Sequence, residues 1–220
     1  MNKPTRNALT GILLCALLAG CGSNVVMDPP TIPTPLIEKI PASVGLRMPP
    51  NFQDFVHEEE IIGREEWSID LNNSNAALFE QLFGYMFEEV KILGPDDDAQ
   101  NLNIDALIEP SIDAFEFSVP NQSKTESFAV WIRYRIRVYD DEGDQVANWP
   151  VSAYGKSQTE SVSGTQALQR AAILAMRDAA ALMIMKLDEA TGISKIVAAR
   201  AALGEPPGEM MTEELNSAAE

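Results

Sequence analysis

Three arginines, Arg133, Arg135 and Arg137, recur at every second position of the run from Ser127 to Tyr139, with Trp131 before them and Tyr139 after them in the same phase. A period of two places these five side chains on one face of a β-strand. Arginine offers a flat fork of donors suited to carboxylate or phosphate. Together with aromatics it is enriched at the centres of protein interfaces. The cluster stands out because the whole chain has 16 Lys and Arg against 33 Asp and Glu, a formal charge of −17. On the preceding strand candidate, Asp105, Glu109 and Asp113 share a face. Antiparallel pairing would set these acids beside the arginines. Two readings follow. The ladder is either cross-strand ion pairing on a solvated face, which contributes little per pair, or a partner contact made by Trp131, Arg133, Arg135, Arg137 and Tyr139.

Other reactive residue types do not assemble into a site. The one histidine, His57, precedes Glu58, Glu59 and Glu60. A zinc site or an acid–base pair built on it would call for a second histidine, a His-Glu-x-x-His spacing or a free cysteine in the mature chain, and none of these is expected. His57 therefore reads as a surface residue in an acidic run. Asp96, Asp97 and Asp98 form an acidic triplet after Gly94-Pro95. Without the remaining spaced ligands of a calcium loop they read as a solvated turn. Ser127, Ser157 and Ser163 have no nucleophile-elbow context. No glycine loop for phosphate is present. The expectation is no catalytic residue, no metal and no cofactor beyond covalent lipid.

That lipid is expected on Cys21. The chain opens with Lys3 and Arg6, then an apolar stretch from Ala8 to Ala19. A positive segment followed by about a dozen apolar residues is a secretory signal, too short for the roughly 20 residues of a membrane-spanning helix. The stretch ends in Leu18-Ala19-Gly20-Cys21, which resembles the lipobox of bacterial lipoproteins. The resemblance implies acylation of Cys21, removal of residues 1–20 as a signal peptide, and stable anchoring by more than one acyl chain. In such lipoproteins an Asp after the cysteine implies retention at the inner membrane. Gly22 stands there, so the resemblance implies the outer membrane, facing the periplasm. The mature chain would hold 14 basic and 33 acidic residues, a charge of −19. That balance excludes nucleic acid as a partner and electrostatic docking to anionic lipid. Cys15 leaves with the signal, so no disulfide forms.

The elements that would position the arginine ladder can be read in outline. Residues 21–43, with Pro29, Pro30, Pro33, Pro35 and Pro41, read as an acylated cysteine and an extended tether with a reach of ~60 Å at 3.1 Å per residue. Packing along the domain is the alternative for this segment. A globular domain is expected over 44–204 and an acidic tail over 205–220. Val44–Met48 and Trp67–Leu71 read as strands. Asn72–Asn75 offers a cap for a helix from Ala76 to Val90, where Phe79, Phe83 and Phe87 form a core stripe. Val90–Leu93 is a short strand. Asn103–Val119 is a long strand with a break at Pro110. Ser127–Tyr139 and Val146–Gly155 form a hairpin around Asp140–Asp144, and Thr165–Glu189 is a buried, alanine-rich helix. A further short helix is expected over 193–203. The sum is an α+β layer architecture, one mixed or antiparallel sheet covered by two main helices.

Asp105-Ala106-Leu107-Ile108-Glu109-Pro110-Ser111-Ile112, the run Val130–Tyr139 with Asp141-Glu142-Gly143, and the helix from Ala167 resemble periplasmic lipoproteins built on the TolB amino-terminal-domain fold. These include the curli-secretion channel lipoprotein and activator lipoproteins of peptidoglycan synthases. The resemblance covers roughly residues 44–190, and Glu109-Pro110 replaces a glycine usual in the pattern. It implies a non-enzymatic accessory or scaffold part of an envelope machine, one that assembles with envelope proteins or with itself. A lipid- or glycan-binding carrier lipoprotein is the second expectation.

Overall fold

The computed structural model describes residues 23–61, 65–120, 126–158 and 163–187, together with residue 198. Its strands are β1 (Ser23–Val26), β2 (Ile40–Arg47), β3 (Val56–Ile61), β4 (Glu65–Asp70), β5 (Phe87–Leu93), β6 (Ala106–Ser118), β7 (Ser127–Tyr139) and β8 (Gln145–Gln158). Its helices are α1 (Pro50–Gln53), α2 (Ser74–Met86) and α3 (Gly164–Leu187), with a 3-10 turn at Ala99–Asn101. The chain is an α+β protein. Five strands form a sheet in the order β5-β2-β6-β7-β8, in which β2 is parallel to β5 and β6 while β6, β7 and β8 are antiparallel.

Alternation along β7 sets the two faces. Phe128, Val130, Ile132, Tyr134, Ile136 and Val138 are buried. Trp131 and Arg133 between them are exposed. The buried face carries the core. Helix α2 buries Leu78, Phe79, Leu82, Phe83 and Met86 there, and Phe79 stacks edge-on against Phe52 at 5.0 Å and Tyr134 at 5.3 Å. The Tyr134 hydroxyl donates to Asn75 Oδ1 at 3.0 Å, and Asn75 Nδ2 donates to the Phe52 carbonyl at 3.0 Å. One buried network thus ties α1, α2 and β7 together. Helix α3 lies on β7 and β8 through Ala167, Ala171, Ala175 and Ala179, a stripe at four-residue spacing that is fully buried. Gly155 on β8 lets the helix backbone come this close, because a Cβ there would run into the Ala171 carbonyl and the Ala175 nitrogen.

The expectation of one sheet undercounts. A second sheet of three strands, β1-β4-β3, covers the remaining end of the same face. Trp67 on β4 meets Phe117 and Phe128 at 5.9 and 6.0 Å, and His57 on β3 meets Phe115 at 5.1 Å. This small sheet includes part of the segment read as a tether. Ser23–Val26 pairs in parallel with Trp67–Asp70, and Val25, Met27 and Ile32 are buried. The tether reading therefore fails over residues 23–32, because three apolar side chains find a core to enter. Residues 36–39 are exposed before β2 begins.

Three local expectations also shift. Helix α2 stops at Met86, and Phe87 opens β5 while keeping its ring 6.0 Å from Phe83. Asn73 holds the cap position without a side-chain cap bond. Asn75 points inward to Tyr134, and Asn72 takes the left-handed backbone at φ 45°. Strand β6 does not break at Pro110. The β2 ladder ends at Ile108, so the missing N–H of proline costs no bond on that side. The hairpin turns at Gly143 with φ 88°, as its residue type requires. The signal segment 1–20, Cys21, the helix expected over 193–203 and the tail 205–220 fall outside the described residues, except for residue 198.

Candidate partner-binding face

The open side of β6, β7 and β8 is where the arginine ladder stands. Register places Leu107, Glu109, Ser111, Ala114 and Glu116 of β6 opposite Tyr139, Arg137, Arg135, Arg133 and Trp131. On the other side Asn148, Pro150, Ser152 and Tyr154 of β8 face Arg137, Arg135, Arg133 and Trp131. The register of β6 shifts between Ile112 and Ala114, so Asp113 is a bulged residue. The bulge has two effects. It moves the inward phase from Ile108, Pro110 and Ile112 to Phe115 and Phe117, which feed the small sheet. It also adds a carboxylate on the open face.

That carboxylate is held by Arg135. Arg135 Nε donates to Asp113 Oδ1 at 3.0 Å, and its Nη2 forms a second contact with Oδ2, a bidentate fork. Arg135 Nη1 also donates to Asn148 Oδ1 at 3.1 Å. The hydrogen bond from Arg135 holds the Asp113 carboxyl below the usual carboxylate range, with the charges of Arg135, Arg137 and Arg133 acting in the same direction against partial desolvation. Arg137 donates to Ser111 Oγ at 3.4 Å. Glu109, opposite Arg137, pairs with Arg47 of β2 at 3.1 Å, and Arg47 also donates to the Asp97 carbonyl at 2.6 Å. Burial, then the Glu109 charge, push the Tyr139 hydroxyl above the ordinary phenol range. Asp105 does not join the ladder. It precedes β6, and its Oδ2 accepts from the Ser43 backbone N–H at 2.6 Å.

Arg133 differs from its neighbours. It is exposed and forms no hydrogen bond or ion pair among the described residues. Beside it Trp131 and Tyr154, each 43% exposed, pack with ring centroids 5.1 Å apart and planes tilted by 45°. Ala114, Glu116, Trp131, Arg133 and Ser152 line a shallow groove of about 200 Å³. Tyr154 was missing from the sequence-derived set. Its signal was there, since Ser152, Tyr154 and Lys156 alternate outward along the returning strand. Of the five expected contact residues, Trp131 and Arg133 are freely presented, while Arg135, Arg137 and Tyr139 are engaged with or set against β6.

The remaining candidates resolve simply. His57 Nε2 lies 3.1 Å from Glu59 Oε2, with its ring against Phe115 and Phe117, so it is half-buried under the small sheet instead of free on the surface. Asp97 and Asp98 accept from Gly94 and Gln100 backbone N–H groups and order their own turn. Among the described residues no group of three His, Cys, Asp or Glu side chains could hold a metal ion, and no helix is long and apolar enough to cross a membrane.

No family model matches this sequence, and no curated protein matches it. Solved structures with related shapes include a neuraminyllactose-binding hemagglutinin homologue from Helicobacter pylori, at 10% identity and a TM-score of 0.44 over 80% of this chain and 100% of that one. A minor lipoprotein from Acinetobacter baumannii matches at 12% identity and a TM-score of 0.40, covering 76% and 96% of the two chains. A hypothetical protein from Chlamydia trachomatis matches at 9% identity and a TM-score of 0.41, covering 68% and 98%. At such scores these likenesses carry no argument about ligand or partner.

Proposed function

We propose that this chain is a non-catalytic lipoprotein, anchored through Cys21 to the outer membrane on its periplasmic side, that serves as an accessory or scaffold part of an envelope assembly, export or biogenesis machine. Its partner is an envelope protein or a second copy of the chain. The anchor rests on Leu18-Ala19-Gly20-Cys21 behind the signal-like segment. The partner role rests on one observation. The sheet has one face closed by helices and the small sheet, and on its open face an exposed Trp131–Tyr154 pair stands beside Arg133, which has no hydrogen bond or ion pair among the described residues. Exposed aromatics with arginine are the chemistry of interface centres.

A photoreactive amino acid in place of Trp131, irradiated in intact cells, tests this reading. One defined envelope protein, or the chain itself, should appear as the adduct, and Arg133→Glu should weaken it. The same probe at Asp141, on the hairpin, should give no such adduct. Absence of a protein adduct, with lipid or glycan co-purifying instead, would overturn the assembly reading in favour of a carrier.

A further inference from the structure

The placement of β1 says how an anchored chain would sit on its membrane. We infer that the domain rests directly against the bilayer with the open end of its three-stranded sheet, and that the five-stranded sheet stands away from the surface with the Asp140–Asp144 hairpin at its far end. This rests on the Cys21 anchor proposed above. Ser23 begins β1, so only Gly22 separates the acylated residue from the first described strand. Two residue steps span at most ~7 Å. The lipid attachment therefore lies within that distance of the folded domain, in place of the ~60 Å that a free extended segment would allow.

The docked segment is held on three sides. Met27 N–H donates to the Asp70 carbonyl at 2.9 Å, continuing the β4 ladder. Ile32 N–H donates to Gln81 Oε1 of α2 at 2.7 Å. From α3, Gln169 Nε2 donates to the Val26 carbonyl at 3.3 Å and to Asp28 Oδ2 at 3.1 Å, and Arg177 Nε donates to the Thr31 carbonyl at 3.0 Å. Met27 is 1% exposed. Releasing this segment would break bonds to β4, α2 and α3 and expose three apolar side chains together.

Direction follows from the register. β1 is parallel to β4 with Ser23 beside Trp67, so β1 starts at the end of the small sheet where Glu60 pairs with Glu66. Trp67 lies over Phe117 and Phe128, near the end of β6 and the start of β7. Farther along, Phe52 and Asn75 reach Tyr134 in the middle of β7. The anchor end of the small sheet thus coincides with the Ser118 and Ser127 end of the large sheet. The hairpin after Tyr139 is the opposite end, ~40 Å along a strand of this length. Exposed Glu58, Glu60 and Glu66 at the anchor end give no attraction to anionic lipid. The covalent anchor and the short connection set the orientation, and they put Trp131 and Tyr154 nearer the membrane than Arg137 and Tyr139.

Energy transfer to the bilayer surface tests this. Mature acylated protein has no free thiol, so a donor can be attached at Glu60→Cys or, separately, at Asp141→Cys. Each form is reconstituted into phosphatidylcholine vesicles carrying a headgroup acceptor. Transfer from position 60 should exceed that from position 141 several-fold. A ten-residue glycine–serine insertion between Gly22 and Ser23 should erase the difference. Equal transfer from the two sites without the insertion would overturn the seated orientation and leave the anchor intact. An intact mass lacking acyl groups would overturn the anchor reading, and the orientation with it.

Discussion

Gly155→Ala adds one carbon, and the structure says where it must go. Built on the Gly155 backbone, the new Cβ overlaps the Ala171 carbonyl oxygen and the Ala175 nitrogen and lies 3.0 Å from the Leu174 carbonyl carbon. All three are backbone atoms of α3, so no rotamer change relieves the clash. Either the helix backs off by on the order of 1 Å, opening the contact made by Ala167, Ala171, Ala175 and Ala179, or β8 bends away from β7. Overpacking into a filled core costs about 1–3 kcal/mol, and a clash with backbone on a rigid helix belongs at or beyond the top of that range. For a domain of this size, about 3 kcal/mol lowers Tm by roughly 6–12 °C. Gly84 is the internal control. It sits within α2, and a Cβ there meets nothing within 4 Å. Gly84→Ala should raise stability by about 0.5–1 kcal/mol through helix propensity and reduced unfolded-state entropy. Thermal and urea unfolding of the mature chain with Cys21→Ser, alone and with each substitution, reads both effects. Equal melting of Gly155→Ala and its parent would refute the close approach of α3 to β8 on which the layer packing depends.

Tyr134→Phe should cost about 1–3 kcal/mol in urea unfolding, because Asn75 Oδ1 is left buried without its donor. Burial raises the Tyr134 hydroxyl well above the ordinary phenol range. The unfolded chain ionises this tyrosine near pH 10 while the folded chain does not. Stability should therefore fall as pH rises past about 10, and the fall should be smaller in Tyr134→Phe. Asp113 behaves in the opposite sense. Its folded carboxyl is held below its ordinary value, chiefly by the hydrogen bond from Arg135, so its contribution is present above about pH 4 and lost as pH falls below that value. Asp113→Asn should flatten the acid side of the stability profile between about pH 4 and 2, and an unchanged profile would remove the ion pair from the account.

Strands β7 and β8 and the turn between them were legible because each signal was local. Alternation over 13 residues fixes a strand with two faces, and Gly143 fixes the turn. The alanine-rich helix was legible for the same reason. The small sheet was not. β1 has four residues shortly before a run of prolines, β3 carries three consecutive glutamates that read as surface, and only their parallel and antiparallel pairing with β4 gives them a place. Docking of residues 23–32 depends on a core assembled from Trp67, Ile69, Gln81 and α3, distant in sequence and invisible to a local window. The bulge at Asp113 is hidden because the sequence Ile112-Asp113-Ala114-Phe115 reads as alternation with a single misfit, while Pro110, the stronger local signal for an interruption, lies in the unbroken part of the strand.

The arginine ladder shows how the two sequence readings divide along one strand. At Arg135 the bulge supplies a carboxylate, so the cross-strand pairing reading holds there, with a fork that satisfies the guanidinium. At Arg137 Ser111 takes one donor, and Glu109 is drawn off by Arg47. At Arg133 the facing residues are Ala114 and Ser152, neither of which offers a charge. A guanidinium opposite alanine and serine, next to a packed Trp–Tyr pair, is the position on this face where an incoming carboxylate would find unused donors and an apolar platform together. The Arg133 end of the ladder is therefore where substitution should affect partner capture more than stability, and the Arg135 end is where it should affect stability more than capture.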